Sequence, residues 1–400
     1  MGADLARELA IPAETKLVLL VLDGLGGLPR EAGGPTELEA AAKPTLDRLA
    51  AEGVTGLLTL VAPGVTPGSG PGHLALFGYD PLTHRIGRGI LEALGIDLPV
   101  TPQDVAARGN FCTVDAAGRV TDRRAGRVND ATCRTLSALL DTITVDGAEV
   151  TVRPVREHRF VVLFRGEGLS DAVSETDPQQ VGQVPLKAEP LTPEAAKSAR
   201  VVNAFVEKAR AALRDHHPAN MVLLRGFARH PALPTFRERF GLRAAAIAIY
   251  PMYRGLARLA GMEILPTGTT IADQLATLRE RWGDFDFFFI HFKRTDTAGE
   301  DGDFAAKVGA IEEVDRTLPA LLALRPDVLA VTGDHSTPAA LRAHSWHPVP
   351  VLLWAKTCRP DTVATFGERP CTGGGLGHLP GRELLPLMLA HAGRLTKFGA

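Results

Sequence analysis

Four hundred residues, 45% hydrophobic and 22% charged, bury a sizeable core and fit two or three domains, or one large α/β domain with an insertion. Forty-four basic against 46 acidic residues leave a net charge of −2 without long runs of one sign, which argues against a nucleic-acid or membrane surface as the main partner. Apolar strings such as Leu17–Leu22 fall far short of the ~20 residues that span a bilayer, and Cys112, Cys133, Cys358 and Cys371 lie too far apart for a zinc ribbon or a disulfide framework. Residues 1–10 lack a basic segment followed by an apolar one, so a cytoplasmic protein is expected.

Lys16–Leu22 reads as a buried parallel strand that delivers Asp23 at its carboxyl end. Pro44–Glu52 reads as a helix with proline near its first turn and Gly53 closing it, and Val54–Val61 as a second strand. A loop dense in glycine and proline then carries Ser69 to the start of an apolar run, Leu74–Phe77. From 111 to 183 short strands (Phe111–Val114, Glu149–Val155, Arg159–Phe164) alternate with turns, which predicts a small α+β module inserted into a main domain of 1–110 and 184–400. Strands and helices alternate after it. Strands at Asn220–Leu224, Ala244–Ile249, Phe285–Phe292, Asp327–Thr332 and Val349–Trp354 separate helices at Pro193–Arg214, Met252–Ala260, Thr270–Trp282 and Phe304–Leu324, with a last helix at Arg382–Ala390. That order predicts an α/β fold, a doubly wound and mostly parallel sheet with helices on both faces.

Ligands in such sheets bind outside the carboxyl ends of the strands. Collecting polar residues there yields Asp23, Asp296 and Asp334-His335, with His344 shortly after. Taken singly, Asp23 or Asp296 reads as the N-cap of the next helix, His335 or His344 as a hydrogen-bonded structural residue, and Ser69 as a plain helix start. Together, carboxylates and imidazoles at one sheet edge suit two divalent cations, and a serine beside them suits phosphoryl transfer to an enzyme nucleophile.

Several segments carry a resemblance that runs nearly end to end: Val21-Leu22-Asp23-Gly24, Gly68-Ser69, His73–Pro81, Asp122–Arg127, Leu224-Arg225-Gly226, Asp296 with Asp301–Phe304, Gly333–Pro338, and His344-Ser345 before Pro348-Val349-Pro350. With them the chain resembles the cofactor-independent phosphoglycerate mutases of the archaeal type, in the alkaline phosphatase superfamily. The resemblance implies interconversion of 3-phosphoglycerate and 2-phosphoglycerate in glycolysis and gluconeogenesis, through a phosphoserine and without 2,3-bisphosphoglycerate. It further implies that Asp23, Ser69, Asp334 and His335 hold one divalent metal, and Asp296 and His344 a second. Manganese comes first, with magnesium, zinc or cobalt as the other candidates. Ser69, Lys293 and Arg225 are then expected in catalysis, and Arg123, Arg127, Arg254 and His73 in substrate binding.

At the position where the family carries a histidine, this chain has Glu300. Glu300 is expected to complete the second metal site, with His347 or a weak site as the alternatives. The inserted module is expected to exclude water, since a phosphoserine beside two metals invites hydrolysis. A metal-dependent phosphomonoesterase, a mutase of another phosphorylated metabolite, and an inactive binding homologue are the rival readings. A homo-oligomer is left open.

Overall fold

The computed structural model describes residues 3–399. The chain forms two compact units, one comprising the chain up to Arg85 together with that from Leu233 onward, the other Ile86–Ala232.

The first unit is built on an eight-stranded sheet in the order Gly377–Pro380, Val54–Thr59, Val349–Ala355, Val328–Thr332, Leu17–Leu22, Phe287–Phe292, Ala244–Ile247, Glu263–Ile264. The three central strands, Val328–Thr332, Leu17–Leu22 and Phe287–Phe292, are buried at every residue. Continuous burial explains why they read as unbroken apolar runs rather than alternating ones. They run parallel and in register, Leu22 beside Phe292 and Val21 beside Thr332, so their carboxyl ends coincide. Val349–Ala355 pairs antiparallel with both of its neighbours. Its first residue therefore lies at the edge where the parallel strands finish. That reversal brings His344, just upstream, to the same edge as Asp23, Lys293 and Asp334.

The second unit has a five-stranded antiparallel sheet of Val120–Asp122, Asp104–Val114, Arg159–Arg165, Glu149–Arg156 and Met221–Arg229. Side chains alternate between its faces. Val105, Ala107, Phe111, Phe160, Val162 and Phe164 enter an apolar core with Phe205 and Leu213 of helix Ala196–Leu213. Ala106, Arg108 and Asn110 take the other face.

This unit is wider than the expected 111–183. The strand expected at Phe111 begins at Asp104, and helix Ala196–Leu213 and strand Met221–Arg229 pack into this unit rather than the large sheet. An apolar run ending in Arg225-Gly226 reads the same whichever sheet it joins, so periodicity alone could not assign it.

Candidate active site

Ser69 is the first residue of helix Ser69–Leu76, capped by Gly68 without a side-chain hydrogen bond. Its hydroxyl is thus not consumed in capping. Helix geometry leaves the N–H groups of Ser69 and Gly70 pointing out of the first turn, and Pro71 has none to leave. Such an N-terminus favours negative charge. The helix comes close to the loop after Val328–Thr332 because residue 72 is glycine: a Cβ there would lie 2.1 Å from the carbonyl oxygen of Asp334. Ser69 Oγ sits 3.2 Å from His335 Nε2.

Around His335 the strand ends converge. Asp23, Asp296, Asp334 and His335 are all fully buried. His335 Nε2 lies 3.2 Å from Asp23 Oδ1 and 3.2 Å from Asp334 Oδ2. Its Nδ1 is 2.9 Å from Thr337 Oγ1, which in turn donates to Asp296 Oδ1 at 2.6 Å. Because the threonine proton goes to Asp296, the Thr337 oxygen accepts from His335 Nδ1–H, which directs Nε2 toward Ser69 and the two carboxylates. His344 is oriented in the same way. Its Nδ1 donates to the Pro67 carbonyl at 3.1 Å, its ring stacks on His335 with centroids 3.6 Å apart, and Nε2 lies 3.5 Å from Asp296 Oδ1.

Three buried carboxylates so close together demand positive charge. Lys293 supplies some, with Nζ 2.5 Å from Asp296 Oδ2 and 3.1 Å from Asp23 Oδ2. Burial opposes its charge, but Asp23 and Asp296 prevail and raise the ammonium pKa above its ordinary value. Burial would likewise lower His335; Asp334 and Asp23 override it and push the imidazole up to about 10. Burial would raise Asp23, yet Lys293, the hydrogen bond from His291 and the nearby His335 imidazole hold it well below the usual carboxylate range.

The compensation is incomplete. Asp23 Oδ1 and Asp334 Oδ2 are buried and accept no hydrogen bond. The ligand atoms of Asp23, Asp334 and His335 lie within 4.8 Å of one another, as do those of Asp296, His335 and His344. Orphaned carboxylate oxygens beside oriented imidazoles are the donor set of a hard-to-borderline divalent cation, so these residues fit metal.

Glu300 stands at the margin of this cluster. One turn past Asp296 on helix Arg294–Asp301, it shares that helix face, but its side chain is 57% exposed and Oε1 is 3.9 Å from His344 Nε2. His347 bonds through Nδ1 to Ser345 Oγ at 3.0 Å and stacks on Trp346.

His73 requires a correction. Expected at the substrate, it is fully buried. One helical turn after Ser69, its Nδ1 donates to the Ser69 carbonyl at 2.8 Å and lies 3.2 Å from Asp334 Oδ2, while its ring packs against Tyr253, Phe289 and His291. It supports the nucleophile from below.

Tyr253 and His291 escaped the sequence reading. Tyr253 donates its hydroxyl to Asp23 Oδ2, His291 Nε2 is 3.0 Å from the same oxygen, and the two rings stack at 3.7 Å. His291 had a signal, since it interrupts the run Phe287-Phe288-Phe289-Ile290 in a wholly buried strand. Arg254 follows Tyr253 on the same helix, half-buried.

In the second unit Arg123 grips Asp177 through Nε at 3.0 Å and Nη2 at 2.6 Å, and Arg225 Nη1 lies 3.8 Å from the same carboxylate. Arg127 is exposed in the turn Ala125–Arg127. Arg108, opposite Arg225 in the strand register, has Nη1 3.9 Å from Glu92 Oε1. Burial lowers the Arg108 pKa to about 10, with Arg159, Arg88 and Arg225 acting in the same direction against Glu92. Burial and the neighbours Arg159, Arg108, Arg124 and Arg127 push His158 down to about 4. Nε of Arg108 and Nε of Arg225 are buried without a hydrogen-bond partner. Clustered guanidinium groups with orphaned donors suit an anion.

Residues 50–220 match the family model described as 2,3-bisphosphoglycerate-independent phosphoglycerate mutase. A protein of Thermus thermophilus named as a probable 2,3-bisphosphoglycerate-independent phosphoglycerate mutase is 53% identical over 98% of this chain and 98% of its own length. A Thermotoga maritima protein with the same name is 50% identical over 99% of each. Among solved structures, a Pyrococcus horikoshii protein superposes with a TM-score of 0.84 at 31% identity, covering 97% of this chain and 100% of its own. The cofactor-independent phosphoglycerate mutase of Thermoplasma acidophilum superposes with a TM-score of 0.71 at 29% identity, covering 94% and 100%.

Proposed function

The chain belongs to the 2,3-bisphosphoglycerate-independent phosphoglycerate mutase family, and from that premise we propose that it interconverts 3-phosphoglycerate and 2-phosphoglycerate with Ser69 as the carrier of the phosphoryl group. The observation that carries this reading is the position of Ser69 Oγ, free of any capping bond at a helix N-terminus and 3.2 Å from His335 Nε2, beside the buried carboxylates of Asp23 and Asp334, each of which keeps one oxygen without a hydrogen bond.

Asp23, Ser69, Asp334 and His335 would hold one divalent ion, and Asp296 and His344 a second. Glu300 would swing in from solvent to complete the second set. Such ions lower the serine pKa and neutralise charge on the phosphoryl oxygens; manganese is the first candidate. The chain's own residues do the rest. Asp23 is held in place by Tyr253 and His291, and His335 and His344 present Nε2 because their Nδ1 atoms are engaged. The N–H groups of Ser69 and Gly70 donate to the phosphoryl oxygens. Lys293, partly exposed and bonded only to carboxylates that a cation would claim, turns to the phosphoryl group.

Ser69 Oγ gives up its proton and attacks phosphorus, the bond to the 3-oxygen breaks, that oxygen takes up a proton, and glycerate is left bound. After glycerate reorients, its 2-hydroxyl takes the phosphoryl group back and the serine is regenerated. No bisphosphoglycerate is needed. The guanidinium cluster of the second unit, Arg123 and Arg225 with Arg108, suits a carboxylate such as that of glycerate. We place the reaction in glycolysis and gluconeogenesis in the cytoplasm. Among the described residues no helix is long and apolar enough to cross a membrane.

Incubating the protein with manganese and 3-phosphoglycerate, without bisphosphoglycerate, tests this. Accumulation of 2-phosphoglycerate supports the reading; release of inorganic phosphate alone identifies a phosphatase instead.

Two substitutions probe finer assignments. Arg225→Met removes a charge-assisted contact worth about 1.5–3 kcal/mol, so kcat/KM should fall roughly 10- to 150-fold. The loss should reside largely in KM, and Tm should hardly move, because the ion pair that Arg225 gives up is long, 3.8 Å to Asp177, and Asp177 keeps its two bonds from Arg123. For Glu300→Ala, calorimetric manganese titration should show the weaker of two binding steps lowered roughly 10-fold and the tighter one unchanged. Two unchanged steps would remove Glu300 from the ligand set.

A further inference from the structure

The loops that carry the clustered carboxylates are held from behind by a buried cation. Lys307, on helix Phe304–Leu322, is fully buried, and Nζ donates to the carbonyl oxygens of Gly24 at 2.8 Å, Gly26 at 2.9 Å and Thr337 at 2.8 Å. An ammonium group has three donors, and all three are used. Two of the carbonyls lie in the turn that follows Asp23. The third belongs to the residue whose hydroxyl bridges Asp296 and His335. One side chain therefore joins the end of strand Leu17–Leu22 to the loop that follows strand Val328–Thr332.

The join has no slack. A Cβ on Gly26 would lie 1.9 Å from Ser336 Oγ, so the two loops already touch. Glu37, also fully buried, straps the same pair of loops, accepting from Leu28 N at 3.1 Å and from Ala339 N at 2.7 Å. Burying an ammonium is costly, and an apolar side chain of similar length would fill the space without that cost. Burial does push the Lys307 pKa down, against the opposing charges of Glu37 and Glu368. What an apolar residue cannot do is hold three carbonyls of two separate loops at fixed distances.

We propose that Lys307 is a positioning residue of the phosphotransfer site: by pinning these two loops together it sets the separation between Asp23 on one and Asp334-His335 on the other. This rests on the reading of those residues as holders of a divalent cation.

Manganese titration of Lys307→Met against wild type, followed by electron paramagnetic resonance, tests it. Lys307→Met should bind manganese roughly 10- to 100-fold more weakly. Its kcat should be reduced and its KM for 3-phosphoglycerate close to wild type, since the substrate's own contacts are untouched. A variant with lowered Tm but wild-type manganese affinity would show a purely structural role and overturn the inference. If Lys307→Met does not fold, wild-type protein carries the test through nitrogen NMR of its lysine ammonium groups. A protected Lys307 signal that shifts on saturation with magnesium supports the inference; an unprotected or unmoved signal overturns it. Equal uptake by wild type and Lys307→Met fells this inference alone, whereas no uptake by wild type fells the metal reading and this inference with it.

Discussion

Ser69→Ala is expected to lower turnover by roughly 10⁴-fold or more, the scale of losing a covalent nucleophile. The fold should survive the change. Gly68 rather than Ser69 caps the helix, and Ser69 makes no capping bond, so alanine at the first helical position removes no structural hydrogen bond of the helix end. Tm should therefore stay within a few degrees of wild type. Both readouts are needed, because a variant that lost activity by unfolding would say nothing about the nucleophile.

Removing divalent metal is expected to abolish turnover, by at least about 10³-fold, and adding manganese back to restore it. The metal-free protein should remain folded near neutral pH and show a characteristic pH dependence. His335, pushed up to about 10, supplies part of the missing positive charge among Asp23, Asp296 and Asp334. Its folded pKa lies above the unfolded value near 6.5, so its contribution to stability is complete below about pH 6.5 and is lost as pH rises through about 10. Thermal melts of the chelated protein should fall by several degrees over that interval. Manganese-loaded protein should hold its Tm there, since the ion takes over from the proton, and metal uptake near pH 8 should release protons. A flat profile in the chelated protein would mean that His335 does not carry the charge assigned to it.

Much of this site is legible in the sequence, and the reason is local. A carboxylate shortly after an apolar strand needs only the strand to be placed at the sheet's carboxyl edge, so Asp23, Asp296 and Asp334-His335 can be collected by reading the chain in order. His344 is harder. It reaches that edge only because the strand after it, Val349–Ala355, runs antiparallel, which no pattern in its seven residues announces.

Residues that act through long-range packing stay hidden. Tyr253 looks like one more apolar position of an amphipathic helix, and its bond to Asp23 depends on how helix Pro251–Leu259 docks on the sheet. His73 errs in the other direction. Its string is distinctive and lies beside the nucleophile, yet one helical turn places it beneath Ser69 rather than next to it. Arg108 is missed because its strand is expected to begin at Phe111; extending the alternation back to Asp104 puts Arg108 on the face opposite the apolar core.

The central claim is that Ser69 carries the phosphoryl group between the two hydroxyls of one glycerate. It is tested most directly by single-turnover rapid quench, with enzyme in excess over 3-phosphoglycerate bearing radiolabelled phosphorus. Label should enter the peptide containing Ser69 before 2-phosphoglycerate appears and leave it as that product forms. Formation of 2-phosphoglycerate with no label passing through Ser69 would contradict the account.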